Sequence, residues 1–387
     1  MKRIRSYFLI ICAVLLLVVS GCGSGTTKTI TQTVTNTVTK TVTETSTNNQ
    51  QDANKTIKIV DHAGLEVEIP SNITRVVIDQ VPLTATYCMY MGGNIDKLIG
   101  VSGSVLNYAR MTVLIDIIPE LNNVNTSFYE NGELNIEELI KLKPDVVLYN
   151  AGNAGHRELF QKAGIPCVGF STDGDPTLLY AEWLRLLEKV FQEEGKVADK
   201  IAYGDSIIAD TKARVANVSD SEKVNALILF SWRDGSPSVA GANKHFGRFW
   251  LAAANVNNAA QSQTGIASVN MEQLYSWNPD IIFMPGPMQC PISPAQVLSN
   301  SVEGADFSPL KAVQNGQVYS SDYGMNTWYT PNPDAPLVIT WIAMKCYPEL
   351  FKDVDLAKLT KDWYKKSYGF ELTDAQVAKA MDRDYKG

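Results

Sequence analysis

The chain has 387 residues, with 34 Lys and Arg against 41 Asp and Glu, and a formal net charge of −7 at pH 7. This acidic balance argues against nucleic acid as a partner, because binding to a phosphate backbone needs a basic face. The length that remains after an N-terminal leader is enough for two domains.

Residues 1–22 have the pattern of an export signal peptide. Three cations lie among the first five residues, and residues 8–19 form an uninterrupted apolar run. That run is shorter than the roughly 20 residues that a spanning helix needs, which favours a cleaved signal over a transmembrane segment. Small residues directly precede Cys22, which resembles a lipoprotein box and predicts lipidation of Cys22; a plain secretory signal is the alternative. Acylation at this position predicts an extracytoplasmic chain that is anchored to the cell membrane by lipid alone.

Residues 23–54 are of low complexity. Thr alternates with Val and then gives way to Asn and Gln. Such a segment cannot bury a core, so we predict a Thr-rich flexible tether between the membrane and the body of the protein. The Thr-Val alternation leaves a strand or a short coiled segment as the alternative.

The body begins with an α/β lobe, predicted over residues 55–175. Two alternating strands around Gly64 predict a hairpin. Short β-branched runs then alternate with amphipathic segments, which is typical of parallel strands covered by helices. The predicted strands are 75–79, 98–101 and 166–170, and the predicted helices are 83–91 and 156–163.

One unit of the chain occurs twice, at residues 135–148 and 270–283, with a constant offset of 135 positions. Each copy begins with an Asn that is suited to the N-cap of a short helix. Glu138 or Gln273, three residues later, is suited to complete a capping box. A Pro-Asp pair and a β-branched run follow, which predict the end of the helix and a buried strand. The duplication predicts two similar α/β lobes.

Residues 176–216 are predicted to connect the two lobes. Apolar residues recur there at helical spacing in a wide stripe, which predicts one long helix packed against both lobes. The second α/β lobe is predicted over residues 217–387, and it opens with a strand at 224–230.

A series of short motifs runs through the body in a fixed order. They are the hairpin with Asp61 and Gly64, Arg75-Val76-Val77, Leu142-Lys143-Pro144-Asp145, Trp277-Asn278-Pro279-Asp280, and the segments 312–319 and 341–351. In this order and spacing they resemble the substrate-binding proteins of ABC importers for iron chelates, haem and cobalamin. The resemblance covers nearly all of residues 56–387.

This resemblance implies the architecture and the function together. The expected fold is two similar Rossmann-like lobes with parallel sheets, bridged by one long α-helix, with the ligand held in the cleft between them. The expected function is capture of an iron(III) chelate of the siderophore type and its delivery to an ABC permease dimer. Haem or cobalamin binding by the same fold, or a non-transport sensing lipoprotein, are the alternatives.

Candidate ligand-binding residues were sought at the carboxyl ends of the predicted strands, where ligands bind in open α/β sheets. For any one aromatic residue ordinary packing is an equally good interpretation. As a set the residues favour a flat or aromatic-bearing ligand, and the cations suit an anionic chelate. The candidates are Tyr108, Arg110, Asn150, Asn153, His156, Trp232, Arg233, Lys244, His245, Met288, Tyr323, Trp328 and Tyr329.

Neither a directly bound metal ion nor a cofactor is expected. Of the three His, His156 and His245 are candidates for axial ligands that face each other across the cleft, and a structural role is the alternative. A metal already wrapped by a chelator requires fewer protein ligands. The chain has no nucleophile motif, paired-carboxylate site or phosphate loop, so we do not expect an enzyme. The four Cys of the body lack CxxC spacing, which leaves one disulfide or buried free thiols open.

Glu137 and Glu272 occupy the second helical position of the two copies. The helix dipole alone is one reason for an acidic residue there. In the resembling family, carboxylates at the matching positions, one on top of each lobe, dock against Arg residues of the permease. The resemblance therefore implies a permease-docking role for Glu137 and Glu272.

Overall fold

The structure is a computed structural model, and it describes residues 28–34, 38–44, 55–130, 132–242, 246–287, 289–320, 324–325 and 329–381. The chain divides into two compact units, residues 1–53 and 54–387. In the first unit, strands β1 (Lys28–Val34) and β2 (Val38–Glu44) pair antiparallel. These strands lie in the segment that was predicted as a flexible tether, for which a strand was the alternative. The alternating Thr and Val explain the difference, because β-branched residues favour extended backbone.

The second unit begins with an α/β lobe. Its strands are β3 (Thr56–Val60), β4 (Glu66–Pro70), β5 (Val76–Ile78), β6 (Leu98–Val101), β7 (Tyr129–Glu130), β8 (Glu133–Leu134), β9 (Val146–Asn150) and β10 (Cys167–Phe170). Its helices are α1 (Val81–Tyr90), α2 (Gly103–Met111), α3 (Leu114–Ile117), α4 (Ile136–Leu142) and α5 (Ala154–Lys162). Strands β10, β9, β5 and β6 lie in this order in one parallel sheet, and β3 and β4 form the predicted hairpin.

The connection between the lobes contains two helices, α6 (Pro176–Phe191) and α7 (Ala198–Val215), where one long helix was predicted. The chain breaks between them because Gln192 adopts a left-handed conformation with φ of 55° and Gly195 has φ of 82°. Helix α6 contacts α1 of the first lobe and helices of the second lobe, and its Trp183 and Leu187 are fully buried. The predicted packing against both lobes is confirmed for this helix.

The second lobe contains a mixed sheet. Its strands are β11 (Asn225–Arg233), β12 (Ser236–Ala240), β13 (Asn257–Asn258), β14 (Ile266–Ser268), β15 (Ile281–Met284) and β16 (Val318–Ser320). Its helices are α8 (Gly247–Ala253), α9 (Met271–Trp277), α10 (Pro294–Leu298), α11 (Lys311–Gln314), α12 (Ala335–Cys346), α13 (Leu356–Tyr368) and α14 (Asp374–Met381).

The strand order of this sheet is β14-β12-β11-β15-β16, with β13 beside the first half of β11. Strands β11, β13, β15 and β16 are parallel, as predicted, but β12 runs antiparallel to both of its neighbours, β11 and β14. Asp234 and Gly235, both with positive φ, form a tight turn that sends β12 back along β11.

The duplicated unit folds the same way in both lobes. Helix α4 runs into β9, and α9 runs into β15. The Asn side chain at each N-cap accepts backbone N–H groups, as predicted. The predicted capping box is wrong in its second half, because the Glu138 carboxylate pairs with Lys141 and the Gln273 amide donates to Ser276. Both helices end at a left-handed residue, Lys143 or Asn278, directly before the Pro.

All four described Cys are buried free thiols, so the alternative of a disulfide is not realised among them. Burial raises the pKa of the Cys88 thiol to about 12 and, as the largest cause, that of Cys167 to about 11. Both thiols therefore behave as small apolar groups in the two cores. Within the described ranges, no helix is both long enough and apolar enough to span a membrane.

Candidate functional site

A crevice is expected at one point of the first sheet. From β5 the chain crosses to β6 on one side, whereas from β9 it crosses to β10 on the other side. The connections leave β5 and β9 in opposite directions, so their carboxyl ends flank the topological switch point, where open α/β sheets bind ligands. Asp79 and Gln80 directly follow β5, and Asn150 ends β9.

Asp79 and His156 form a hydrogen-bonded pair at this switch point. The Asp79 Oδ2 atom lies 2.5 Å from Nδ1 of His156, and Asp79 Oδ1 accepts a hydrogen bond from the Tyr129 hydroxyl. Only 2% of the Asp79 side chain is exposed, against 25% of the His156 side chain. The backbone of His156 is also fixed by a hydrogen bond. Its N–H donates to Oδ1 of Asn153, the N-cap of α5, at 3.1 Å.

The pair changes the acidity of both groups. The hydrogen bond to Asp79 raises the pKa of His156 above its ordinary value of 6.5. Burial raises the pKa of Asp79 despite the neighbouring imidazole, since a nearly enclosed carboxylate loses its hydration. With Nδ1 held by the carboxylate, Nε2 makes no hydrogen bond to any described residue. The ring is therefore oriented to present Nε2 to a metal centre or an acceptor, as in carboxylate–histidine–metal sites.

The two lobes touch each other near the carboxyl ends of their strands. Gln289, in the loop that follows β15, donates from Nε2 to the Tyr108 hydroxyl of α2 at 2.6 Å. Close by in the sequence, the Thr112 hydroxyl donates to the carbonyl oxygen of Met325 at 3.2 Å. Both contacts join the first lobe to the second, so Tyr108 lies at the boundary between the two lobes.

Several buried polar atoms at the strand ends have no hydrogen-bond partner in the part of the chain that the structure describes. In the first lobe these are both amide atoms of Gln80, which is 4% exposed. In the second lobe they are the hydroxyls of Ser231 and Ser320 and Oε1 of Gln289. A buried polar atom without a partner is unfavourable by about 1–3 kcal/mol, so these atoms indicate a place where something else completes the hydrogen bonds.

Three predicted candidates of the first lobe support local structure. The Asn150 and Asn153 side chains accept hydrogen bonds from the N–H groups of Gly152 and His156 in the loop that begins α5. Arg110 is exposed and donates to Oδ1 of Asn122 at 3.3 Å. Asn153 therefore holds the backbone of His156, Asn150 holds the loop before α5, and Arg110 lies on the surface of α2.

Two aromatic candidates of the second lobe are buried against other aromatic rings, and their role as ligand contacts stays a prediction. Trp232 is 6% exposed and packs on Phe307 at a centroid distance of 5.4 Å. Tyr329 is 3% exposed and packs on Phe246 at 5.2 Å. Strand-end aromatics turn inward here because burying a large ring is more favourable than exposing it. Arg233, at the end of β11, is exposed.

The remaining candidates lie outside the described residues. They are Lys244, His245, Met288, Tyr323, Trp328 and the lipidation site Cys22. Among the residues that are described, no group of three or more His, Cys, Asp or Glu could hold a metal ion.

Sequence reasoning missed Asp79, Gln80 and Tyr129. Asp79 and Gln80 directly follow a buried strand, a position that could have marked them as candidates. Nothing in the sequence pairs Asp79 with a His 77 positions later.

The carboxylates of Glu137 and Glu272 are both exposed. Neither makes a hydrogen bond or an ion pair with another described residue. Their backbone positions match, because each is the second residue of its helix, α4 or α9. Both are therefore available to a partner.

The family model for periplasmic binding proteins matches residues 90–323, more than half of the chain. This chain belongs to that family. A molybdate-binding protein of Haemophilus influenzae is 28% identical over 345 residues, which covers 80% of this chain and 90% of that protein. A petrobactin-binding protein of Bacillus subtilis is 27% identical over 205 residues, covering 51% of this chain and 60% of that protein.

A solved structure agrees with the fold. The periplasmic solute-binding protein from Veillonella parvula has a TM-score of 0.74 and 26% identity, covering 84% of this chain and 97% of that one. The expected α/β architecture of two lobes is confirmed. As a member of the family, this chain is the solute-binding component of an ABC importer, and it acts outside the cytoplasm.

Proposed function

We propose that the solute captured in the crevice is an iron(III) chelate of the siderophore type, which the protein delivers to an ABC permease dimer. The observation that carries this proposal is the His156 imidazole, fixed by the buried Asp79 at the switch point with Nε2 unengaged. An imidazole oriented in this way is suited to complete the coordination of a metal that its chelator leaves unsaturated.

The chemistry of the described residues favours a chelated metal over a bare ion. A bare divalent or trivalent cation needs several protein donors, and the described residues bring no three candidate ligands together. A chelator supplies these donors itself, so that one imidazole is sufficient on the side of the protein. Relatives of this chain are named for petrobactin and for iron(III) citrate, which agrees with this class.

A molybdate oxyanion is the second candidate. The relative named for molybdate aligns over 90% of its own length, a longer match than the relatives named for iron chelates give. A protonated His156 and the amide N–H groups of Gln80 are suited to hydrogen-bond an oxyanion.

Direct binding measurements separate the two candidates. The full chain, purified in detergent, is titrated with iron(III) citrate and with molybdate, and binding is followed by calorimetry and by the fluorescence of its Trp residues. We expect iron(III) citrate to bind and His156→Gln to lower its affinity by about tenfold or more. The matched control is His62→Gln, because His62 is engaged in the hairpin turn, where it accepts from the Ser171 N–H at 3.4 Å. Binding of molybdate alone, or equal affinities of His156→Gln and the unsubstituted protein, would contradict the proposal.

Two further proposals concern the membrane. We propose that Cys22 carries the lipid that anchors the protein, because it follows small residues at the end of the apolar run. We also propose that Glu137 and Glu272 contact the permease, since both are exposed, unpaired and at matching positions of the two lobes.

A further inference from the structure

Gln80 has an unusual environment for a primary amide. It is the N-cap of α1, yet its side chain does not cap the helix. The residue is 4% exposed, and neither Nε2 nor Oε1 has a hydrogen-bond partner among the described residues. Exchanging the two atoms would not change this, because both are unpartnered. A buried amide of this kind requires an acceptor and a donor from outside the described protein.

The position of Gln80 connects this amide to the crevice. It is the residue directly after Asp79, which orients His156 at the switch point. Thr84, one helical turn further along α1, also has a fully buried hydroxyl, and no residue within the described ranges bonds to it. In the opposite lobe, Oε1 of Gln289 is an acceptor without a donor from any described residue, beside the contact of its Nε2 with Tyr108. Unsatisfied acceptors therefore occur on both sides of the crevice, together with unsatisfied donors.

This pattern discriminates between classes of ligand. A fully deprotonated oxyanion such as molybdate offers acceptors only, so it could pair with the Gln80 N–H groups but would leave Oε1 unpaired. A ligand that carries an amide or a free hydroxyl beside an acceptor could pair with both ends of the side chain. Selectivity follows, because a site built to hydrogen-bond a group rejects analogues that lack it.

We propose that Gln80 is a specificity-determining residue that hydrogen-bonds a donor-and-acceptor edge, an amide or a hydroxy acid, of the organic chelator. This inference rests on the proposed function and narrows its ligand class. His156 then contacts the metal, and Gln80 contacts the organic part of the same ligand. The crevice accordingly recognises the chelator as well as the ion.

The test compares ligands with and without hydrogen-bond donors. The probes are iron(III) desferrioxamine B, whose backbone carries secondary amides, and molybdate, which has acceptors only. Calorimetry with the full chain in detergent gives the affinities for the unsubstituted protein, Gln80→Met and Gln80→Leu. Thr86→Val is the matched control, since Thr86 is also a fully buried, unpartnered residue of α1 but lies further from the crevice end of the helix.

We expect the unsubstituted protein to bind the amide-bearing chelate more tightly than molybdate. Both Gln80 substitutions should lower the affinity for the chelate by about tenfold or more, and Thr86→Val should leave it unchanged. The melting temperature should not fall in either Gln80 variant, because an unpartnered amide contributes no hydrogen bond to the free protein. A purely structural role would instead lower the melting temperature.

The failures of the two proposals differ. If the chelate binds the unsubstituted protein and both Gln80 variants equally, while His156→Gln weakens it, the role of Gln80 is overturned and the proposed function stands. If neither iron(III) citrate nor the amide-bearing chelate binds the unsubstituted protein, the proposed function is overturned, and the role of Gln80 is overturned with it.

Discussion

Asp79 is the residue on which the orientation of the candidate metal-binding imidazole depends. Its carboxylate is nearly enclosed and accepts from two side chains, Tyr129 and His156. A buried carboxylate needs such donors, because removal from water is unfavourable by several kcal/mol. The same two hydrogen bonds stabilise the carboxylate and fix the ring, so the site is prepared before a ligand arrives.

Replacing Asp79 by Asn should therefore weaken ligand binding without touching the ligand. The amide is a weaker acceptor for Nδ1–H and no longer favours the tautomer that leaves Nε2 free. We expect Asp79→Asn to lower the affinity for iron(III) citrate by about 10–100-fold. Calorimetry checks the affinity, and ¹⁵N NMR of the imidazole checks the tautomer. Tyr129→Phe, which removes the other donor to Asp79, should have a smaller effect. An unaltered affinity in Asp79→Asn would show that the ring does not contact the metal.

For single residues, the sequence predicts which ones lie near the ends of strands better than it predicts which partners their side chains contact. His156 and Tyr108 were predicted as candidates because polar and aromatic residues near strand ends are visible in a sequence. Asp79 was not predicted, since its proposed role depends on its hydrogen bond to the distant His156. Gln80 was not predicted, since its proposed role depends on the lack of a hydrogen-bond partner among the described residues. The burial of Trp232 was not predicted, because no pattern in the sequence tells whether a strand-end ring turns toward the core or toward the crevice.

Among the elements, the duplicated helix–strand unit explains why each copy contains Pro-Asp. Asp145 Oδ2 accepts from the N–H groups of Thr74 and Arg75 at 2.7 and 2.8 Å, at the start of β5. In the second lobe Asp280 Oδ2 accepts from the N–H of Asn225 at 2.9 Å, at the start of β11. Each carboxylate thus joins its own strand to the beginning of the neighbouring one.

Loss of this carboxylate should destabilise the protein. We expect Asp145→Ala to lower the free energy of unfolding by about 1–3 kcal/mol, because two backbone N–H groups lose a charged acceptor. Asp280→Ala should act in the same direction. Chemical denaturation followed by Trp fluorescence measures both changes. The control is Asp220→Ala on the surface, where the carboxylate pairs with Lys223 and is 96% exposed. Equal stabilities of Asp145→Ala and Asp220→Ala would contradict this role.

Lys200, on the helix pair that connects the lobes, predicts a dependence of stability on pH. Its ammonium donates to the carbonyl oxygen of Met89 near the end of α1 at 2.6 Å. Burial lowers the pKa of Lys200 from 10.5 to about 8. Below pH 8 the amine is charged in the folded and the unfolded chain alike. Between about pH 8 and 10.5 only the unfolded chain keeps the proton.

The free energy of unfolding should therefore rise with pH in this range through Lys200. The slope is limited to about 1.4 kcal/mol per pH unit for one group, and solvent screening of this half-buried amine makes it smaller. Lys200→Met removes this contribution. From pH 8 to 10 the free energy of unfolding of the unsubstituted protein should therefore rise relative to that of Lys200→Met. Urea denaturation at several pH values measures it. A constant difference would show that Lys200 titrates alike in the folded and unfolded chains.

The boundaries of regular elements were largely predictable, and the breaks between helices were not. Residues 98–101 were predicted as a strand and form β6 with the same bounds, because a β-branched run between turn signals determines its own ends. The connection between the lobes was predicted as one helix because its apolar spacing continues past residue 191. Left-handed backbone at Gln192 ends α6, and Gln gives no sequence signal for it.

For the whole body, several contacts hold the two lobes against each other. Helix α6 packs on both lobes, Tyr108 meets Gln289, and the last described helix, α14, returns to the first lobe. There the Lys379 ammonium pairs with Asp116 at 2.5 Å. A body joined at several places keeps the tops of its lobes at a fixed separation, which a partner with two matching sites could recognise.

Glu137 and Glu272 are the residues that we propose such a partner contacts. Each gains about 0.3–1 kcal/mol from the dipole of its helix, and this gain alone accounts for an acidic residue in a first turn. The dipole does not account for a carboxylate at the same position of both lobes when the next residue varies between Glu138 and Gln273. We expect the double substitution Glu137→Ala and Glu272→Ala to leave the affinity for iron(III) citrate intact, to reduce stability only slightly and to abolish uptake.

The matched control is the double substitution one residue further on, Glu138→Ala with Gln273→Ala. It also alters the first turn of both helices, but it leaves the two proposed docking carboxylates in place. Uptake of labelled iron(III) citrate by cells that carry the importer, measured beside calorimetry on the purified variants, separates capture from delivery. Loss of uptake in the first double variant with retention in the second would assign delivery to Glu137 and Glu272. Normal uptake in both would leave the helix dipole as the sole reason for these carboxylates.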